Sequence, residues 1–257
     1  MISSGSQNNE ATQNKWETLK LDYRMVRFLG LIHDAECVIQ VFIKGAVNSA
    51  HFHYVGYYDT NHFEKLAKDV EPFSGNASAI YYGLNPVTKG CIDRANNRLK
   101  PASQAPSAKT ADIQDRCLML IDIDPVREPN CPATGEEKEI AYWLGRIVSR
   151  DLREAGWPKP VVVDSGNGFH LIYRVDLPVD DKDLVRNCLR ALASEYDREQ
   201  VKIDTGVFDA RRIAKLPGTM ACKGENTEDR PHRRSGYFNP HFPFDFPHFG
   251  TRFAPTP

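Results

Sequence analysis

The run LMLIDID ends at Asp124 and places two aspartates two positions apart. In a strand, alternate side chains share a face, so Asp122 and Asp124 point together while Ile121 and Ile123 point away. Their Cα atoms would lie roughly 6.6 Å apart, close enough for the carboxylates to bridge two cations about 3.5–4 Å apart. Oxygen donors of this kind favour Mg or Mn over softer metals. Two solvent-facing aspartates running into an Asp-Pro turn at Pro125 would show the same letters, so this motif decides nothing by itself.

SGNGFH, from Ser165 to His170, is more informative. Asn167-Gly168 between two strand-like runs predicts a two-residue hairpin loop. That register sets Gly166 opposite Phe169 and Ser165 opposite His170, with Cβ atoms about 4.5–5.5 Å apart. A hydroxyl and an imidazole are then presented together beside Gly166 and Gly168, where main chain can approach a phosphate closely. A Ser/His pair acting as a nucleophile would call for a strand-turn-helix elbow, which this string does not show.

A third carboxylate, Asp204, ends the strand-like VKID. If 201–204 pairs beside 117–124, Asp204 becomes the third ligand of a two-ion site; Asp209 competes for the role. Beyond it lies the densest basic region of the chain: Arg211, Arg212, Lys215, Lys223, Arg230, Arg233 and Arg234. Guanidinium and ammonium groups there suit phosphate oxygens, and phosphate contact is expected of Arg212 and Lys215, close after the carboxylate. Arg94, Asn97 and Arg98 in CIDRANNRLKPAS, with Arg211 and Arg233, are further candidates to touch nucleic-acid phosphates.

The whole-chain balance hides this patch. At 257 residues and a formal net charge of −1, nothing pulls a polyanion to the molecule as a whole, and any such binding must be local. Six cysteines are scattered without a CxxC pair or zinc-finger spacing, so reduced thiols are expected and no zinc. Long apolar runs are absent from the sequence, and the polar N-terminus does not read as a signal peptide; a cytoplasmic protein with no membrane partner is expected. His51 and His53 sit two apart with nothing nearby to complete a metal site.

The elements that must position these groups follow from periodicity. Residues 1–15 are polar and read as disordered. Strands are expected at 37–43, 51–58 and 79–85, a short helix between His62 and Val70, and a long polar loop over 86–115. Strand 117–124, helix 135–156, strands 161–166 and 169–175, helix 181–196 and a strand ending at Asp204 complete the body. That strand–helix–hairpin–helix–strand order is the split βαβ, ferredoxin-like pattern of an α+β fold. The aromatic, proline-rich 241–257 reads as a tail docking on this body or linking to a neighbour.

In order, Asp122 and Asp124, then Ser165, Gly166, Gly168 and His170, then Asp204, resemble the DxD, SGxGxH and hD motifs of the archaeo-eukaryotic primase superfamily. The likeness is to the primase-polymerase domains of phages, plasmids and other mobile elements. It extends through AIYYGLNPV, DRANNRL, GWPKPVVVDSGNGFHLIYRV and ARRIAKLPGTMACKGENTEDRPHRR, covering most of residues 75–235. The resemblance implies an N-terminal α/β module over 16–115 packed against an RRM-like module over 116–240, with the active site between them. It also implies two Mg or Mn ions on the three aspartates and an incoming NTP or dNTP on Ser165, Gly166, Gly168 and His170. Arg212, Lys215 and Lys223 would touch its phosphates, single-stranded DNA template and primer would be partners, and a helicase domain or partner often follows such cores. The cysteine cluster of zinc-bearing relatives is not matched. A metal-dependent nuclease, a DxD sugar-nucleotide transferase and a non-catalytic single-strand binder are the competing classes.

Overall fold

The computed structural model describes residues 23–238; the N-terminal stretch and the aromatic tail lie outside the described residues. In chain order the elements are α1 (23–32), β1 (Val38–Ala46), β2 (His53–Asp59), α2 (Phe63–Val70), β3 (Ala77–Gly83) and β4 (Arg98–Pro101). There follow β5 (Arg116–Pro125), α3 (Gly135–Glu154), β6 (Val161–Asp164), β7 (Phe169–Leu177), α4 (Leu184–Tyr196) and β8 (Val201–Ile203). The chain then runs through β9 (Ile213–Lys215), β10 (Met220–Ala221), β11 (Arg233–Arg234) and β12 (Gly236–Phe238).

Two five-stranded antiparallel sheets result. The first has the order β4-β2-β1-β3-β9 and the second β12-β6-β7-β5-β8, with β10 and β11 paired as a separate ribbon. Within the second, β5-α3-β6-β7-α4-β8 is the ferredoxin-like arrangement the sequence predicts, and the fold is α+β. The chain after β8 serves both sheets: β9 pairs with β3 in the first and β12 with β6 in the second.

Local chemistry explains the principal helix. Thr134 caps α3 by accepting from the Glu137 amide at 3.1 Å, and the Glu137 carboxylate accepts from the Thr134 amide at 2.9 Å; this capping box satisfies two otherwise orphaned donors. Gly156, at φ +91°, ends the helix in a left-handed turn closed by the Trp157 amide on the Leu152 carbonyl at 2.9 Å. Ala141, Leu144, Val148 and Leu152 are buried on one face, each large side chain contributing about 1.5–3 kcal/mol.

The two sheets are clipped together by a buried amide. Asn85, just past β3, accepts from the Cys117 and Leu118 amides of β5 at 3.0 and 2.8 Å and donates to the Ala210 carbonyl at 2.9 Å. The stretch 86–115 is not the featureless loop expected from its polarity. It contributes β4 to the edge of the first sheet, and its turns are tied by Arg94 to Asp112 and by the Tyr57 hydroxyl to the Pro106 carbonyl at 2.7 Å.

Candidate active site

β5 sets the first two carboxylates by alternation. The Ile123 Cδ1 lies 3.5 Å from where a Cβ on Gly145 of α3 would sit, so odd positions face the helix and Asp122 and Asp124 face the other way. His170 on β7 is the register partner of Asp122. Its Nε2 stands 3.4 Å from Asp122 Oδ1, an approach without hydrogen-bond alignment, since Asp122 Oδ1 is buried and has no hydrogen-bond partner. Asp204 follows β8, and its amide donates to the Asp122 carbonyl at 2.8 Å. This continues the β5–β8 register of Ile123 with Ile203 and sets Asp204 across the ladder from Asp122. Asp209 instead pairs with Arg212 at 3.2 Å.

The glycine turn differs from the expected hairpin. Asp164 pairs with Phe169 and Val163 with His170, so the loop has four residues and Ser165 is not the partner of His170. The reason is local. The Ser165 amide donates to the Gly168 carbonyl at 3.0 Å, and the Gly168 amide donates to Ser165 Oγ at 3.0 Å. Gly166 turns left-handed at φ +97°, and the Asn167 side chain leaves the turn to accept from the Ala133 amide at 2.9 Å. Gly168 passes so close to β5 that a Cβ there would lie 2.3 Å from the Ile123 carbonyl and 2.5 Å from Asp124 Oδ1. Ser165 and His170 still line the same cleft.

The opposite wall of that cleft comes from the first sheet. Tyr81 on β3 and Lys215 on β9 are register partners, and both line it together with Lys223 and Arg127. The result is a set of carboxylates facing cations. Burial, then the charges of Asp124 and Asp204, hold the Asp122 carboxyl well above its usual range, against the pull of Arg127 and Arg212. Burial pushes the His170 imidazole down to about 4, which leaves it neutral at physiological pH. Burial also pushes the Lys215 ammonium down to about 7; its Nζ donates to the Met220 carbonyl at 2.7 Å.

The donor set suits hard cations. Asp122 brings a buried oxygen without a hydrogen-bond partner, beside a second carboxylate on the same strand face and a third across the ladder. Among the described residues no three His, Cys, Asp or Glu side chains stand as a closed cage for one ion. The three aspartates are arranged around Asp122 instead, two along one strand and one opposite.

Other residues singled out from sequence are placed elsewhere. Arg212 donates to the Gly206 carbonyl and to Asp209 and does not line the cleft. Arg94 makes two bonds to Asp112, at 2.9 and 2.7 Å, and lies over the Tyr57 ring. Asn97 exchanges bonds with Asp59 at 2.9 Å. Both thus tie down the 86–113 segment. Arg98 and Arg211 are exposed. Arg233 donates to the Ala133 carbonyl at 2.6 Å, Arg234 to the Gly218 carbonyl at 2.7 Å, and Arg230 grips Glu137 of the capping box at 2.7 Å.

Two residues of the cleft escape a reading of the sequence. Arg127, nearly buried and 3.6 Å from Asp124 Oδ1, stands only three positions after it, and that proximity was the available signal. Tyr81 is brought in by pairing with a strand 130 residues away, for which no local signal exists. A larger cavity of about 690 Å³ lies behind the second sheet, between α3 and β6, and includes none of the three aspartates.

No family model matches the chain, and no curated protein matches it. Among solved structures, the chain is similar to primase RepB' with 15% identity and a TM-score of 0.43, covering 86% of this chain and 56% of that one. It is similar as well to the catalytic domain of primase RepB' in complex with initiator DNA, with 14% identity, a TM-score of 0.42 and coverage of 87% and 85%. The chain therefore spans little more than half the length of the first of these.

Proposed function

We propose that the cleft carries out template-dependent nucleotidyl transfer, as a DNA primase-polymerase: a 3′-hydroxyl attacks the α-phosphorus of an incoming nucleoside triphosphate and pyrophosphate leaves. The observation that carries this reading is the opposition of Asp122 and Asp124 in the cleft, with Asp204 across the ladder from Asp122, to Lys215, Lys223 and Arg127 around them. A polyanionic substrate satisfies the cations, and only divalent ions reconcile it with the carboxylates. Mg or Mn held by Asp122, Asp124 and Asp204 would activate the hydroxyl and neutralise the triphosphate.

The chain's own groups do the rest. Lys215 and Lys223 oppose charge on the phosphates. Neutral His170 is held beside Asp122 by the β5–β7 ladder and has one ring N–H to offer a phosphate oxygen. The turn at Gly166 and Gly168 brings main chain near the end of β5, where a bulkier residue would close the space. The deciding assay supplies unprimed single-stranded DNA with Mg or Mn, and NTPs or dNTPs separately. Dinucleotides and short oligomers are expected, and they should vanish in Asp122→Ala and Asp124→Ala proteins. Unchanged synthesis by those variants would end this reading, and degradation of labelled DNA without nucleotides would favour a nuclease.

A further inference from the structure

The face of the first sheet that carries Tyr81 and Lys215 continues away from the cleft as a row of side chains. Strand registers align Lys100, Val55, Phe42, Tyr81 and Lys215 across all five strands, so these five share one face. At a strand spacing of about 4.8 Å the row runs roughly 19 Å from Lys215 to Lys100. The adjoining row on the same face holds His53, Lys44 and Ala79. Neither row contains an aspartate or a glutamate.

Val55 in this row is buried beneath the 86–113 segment, Phe42, His53 and Tyr81 are partly buried, and Phe52 stands open. The Phe42 and His53 rings are stacked with centroids 5.5 Å apart, and Phe52 leans on His53 at 4.7 Å. Phe52 is 64% exposed, which costs free energy for a large apolar ring unless something covers it. Lys44 is exposed beside them. Planar rings beside the exposed Lys44, in rows without acids that lead to Lys215 at the cleft, match the two demands of an unpaired polynucleotide: bases to stack and phosphates to neutralise. A duplex, whose bases are already stacked, would leave the rings unused.

We infer that this face, from Lys215 through Phe42 and His53 to Lys44 and Phe52, is the track of a single nucleic-acid strand entering the cleft. The inference rests on the nucleotidyl-transfer reading for what happens at the inner end of the track. It replaces Arg94 and Asn97, which are engaged in holding the 86–113 segment.

The test is fluorescence anisotropy of a labelled single-stranded oligonucleotide with the full chain, without nucleotides, over a range of salt. Lys44→Glu and Phe52→Ala are surface changes, and melting curves will verify that both proteins fold. Phe52→Ala should weaken binding roughly tenfold, the worth of one stacked base. Lys44→Glu should weaken it similarly and lower the salt slope by about 1 or more. Lys68→Glu on α2, an equal charge reversal on an exposed helix, should leave binding within about twofold of the parent.

The track is overturned if Lys44→Glu and Phe52→Ala bind like the parent, if Lys68→Glu loses as much, or if duplex binds better and is equally affected. A chain that binds the strand through Lys44 and Phe52 yet makes no product keeps the track and defeats the reaction. One that makes product while both variants bind normally does the reverse.

Discussion

The main-chain amide of Asp204 donates to the carbonyl of Asp122 at 2.8 Å, so the third carboxylate is hung from the strand that carries the first. Asp209 is five residues on and is held by Arg212 at 3.2 Å. The two aspartates that compete in sequence are thereby separated in position and in partners. Primer extension by Asp204→Asn should fall by at least about 100-fold, more than loss of an outer-shell partner costs a metal site. Asp209→Asn should retain extension within about tenfold of the parent. Equal losses in steady-state assays would reassign the third ligand.

Asp122 also predicts a trade between stability and activity. Its folded-state carboxyl lies above the usual value of 3.8 because of burial and its two carboxylate neighbours. The folded protein therefore holds a proton that the unfolded chain releases, and stability falls as pH rises from the ordinary carboxylate range through the folded value. Asp122→Asn removes that loss. With chelator present, its melting temperature should exceed the parent's at pH 7, and the gap should close toward pH 4. Adding Mg or Mn should raise the parent's melting temperature and leave the variant's nearly unmoved. A parent that does not respond to either ion would argue against a metal site on these residues.

Much of this arrangement was legible because it depends on short-range periodicity. Alternation along β5 put Asp122 and Asp124 on one face, and the spacing of apolar residues over 135–156 marked α3. The failures are equally physical. Asn-Gly signals a two-residue turn, but Asn167 spends its side chain on the Ala133 amide and Ser165 folds onto Gly168, which lengthens the loop from two residues to four and sets Val163 in place of Ser165 opposite His170. β9 and β12 have three residues each, too few for a pattern, and owe their existence to sheet edges far upstream. The fate of Arg94 was hidden for the same reason: its partner Asp112 becomes a neighbour only after the 86–113 segment folds back on the sheet.

The closeness of Gly168 to β5 makes it the sharpest local test of the turn. A Cβ at this position would meet the Ile123 carbonyl at 2.3 Å and Asp124 Oδ1 at 2.5 Å, and neither backbone nor a ladder-end carboxylate yields cheaply. Gly168→Ala should cost roughly 2–3 kcal/mol of stability, in the range for overpacking a tight site. It should depress activity further by displacing Asp124. Gly90→Ala, where nothing lies within 4 Å, is the matched control and should melt like the parent. Denaturant midpoints of the two variants will read the difference, and near-parental stability for Gly168→Ala would show that the turn sits farther from β5.

Lys215 joins the two sheets' chemistry and carries a pH signature of its own. Burial lowers its ammonium from 10.5 to about 7, so between those values the unfolded chain binds a proton that the folded protein does not. Stability attributable to this residue therefore rises with pH across that window and is poorest below about pH 7. Lys215→Met fills the same space without a charge. The melting-temperature difference, variant minus parent, should be most positive near pH 6 and shrink toward pH 10. Nucleotide binding should move the other way. A triphosphate favours the charged ammonium, so the parent's affinity should decline as pH climbs past about 7, while Lys215→Met binds weakly and without that decline. Calorimetric titration of a nucleoside triphosphate at pH 6 and pH 8.5 distinguishes the cases. If the variant binds as tightly as the parent at pH 6, Lys215 is a structural cation and the phosphates lie elsewhere in the cleft.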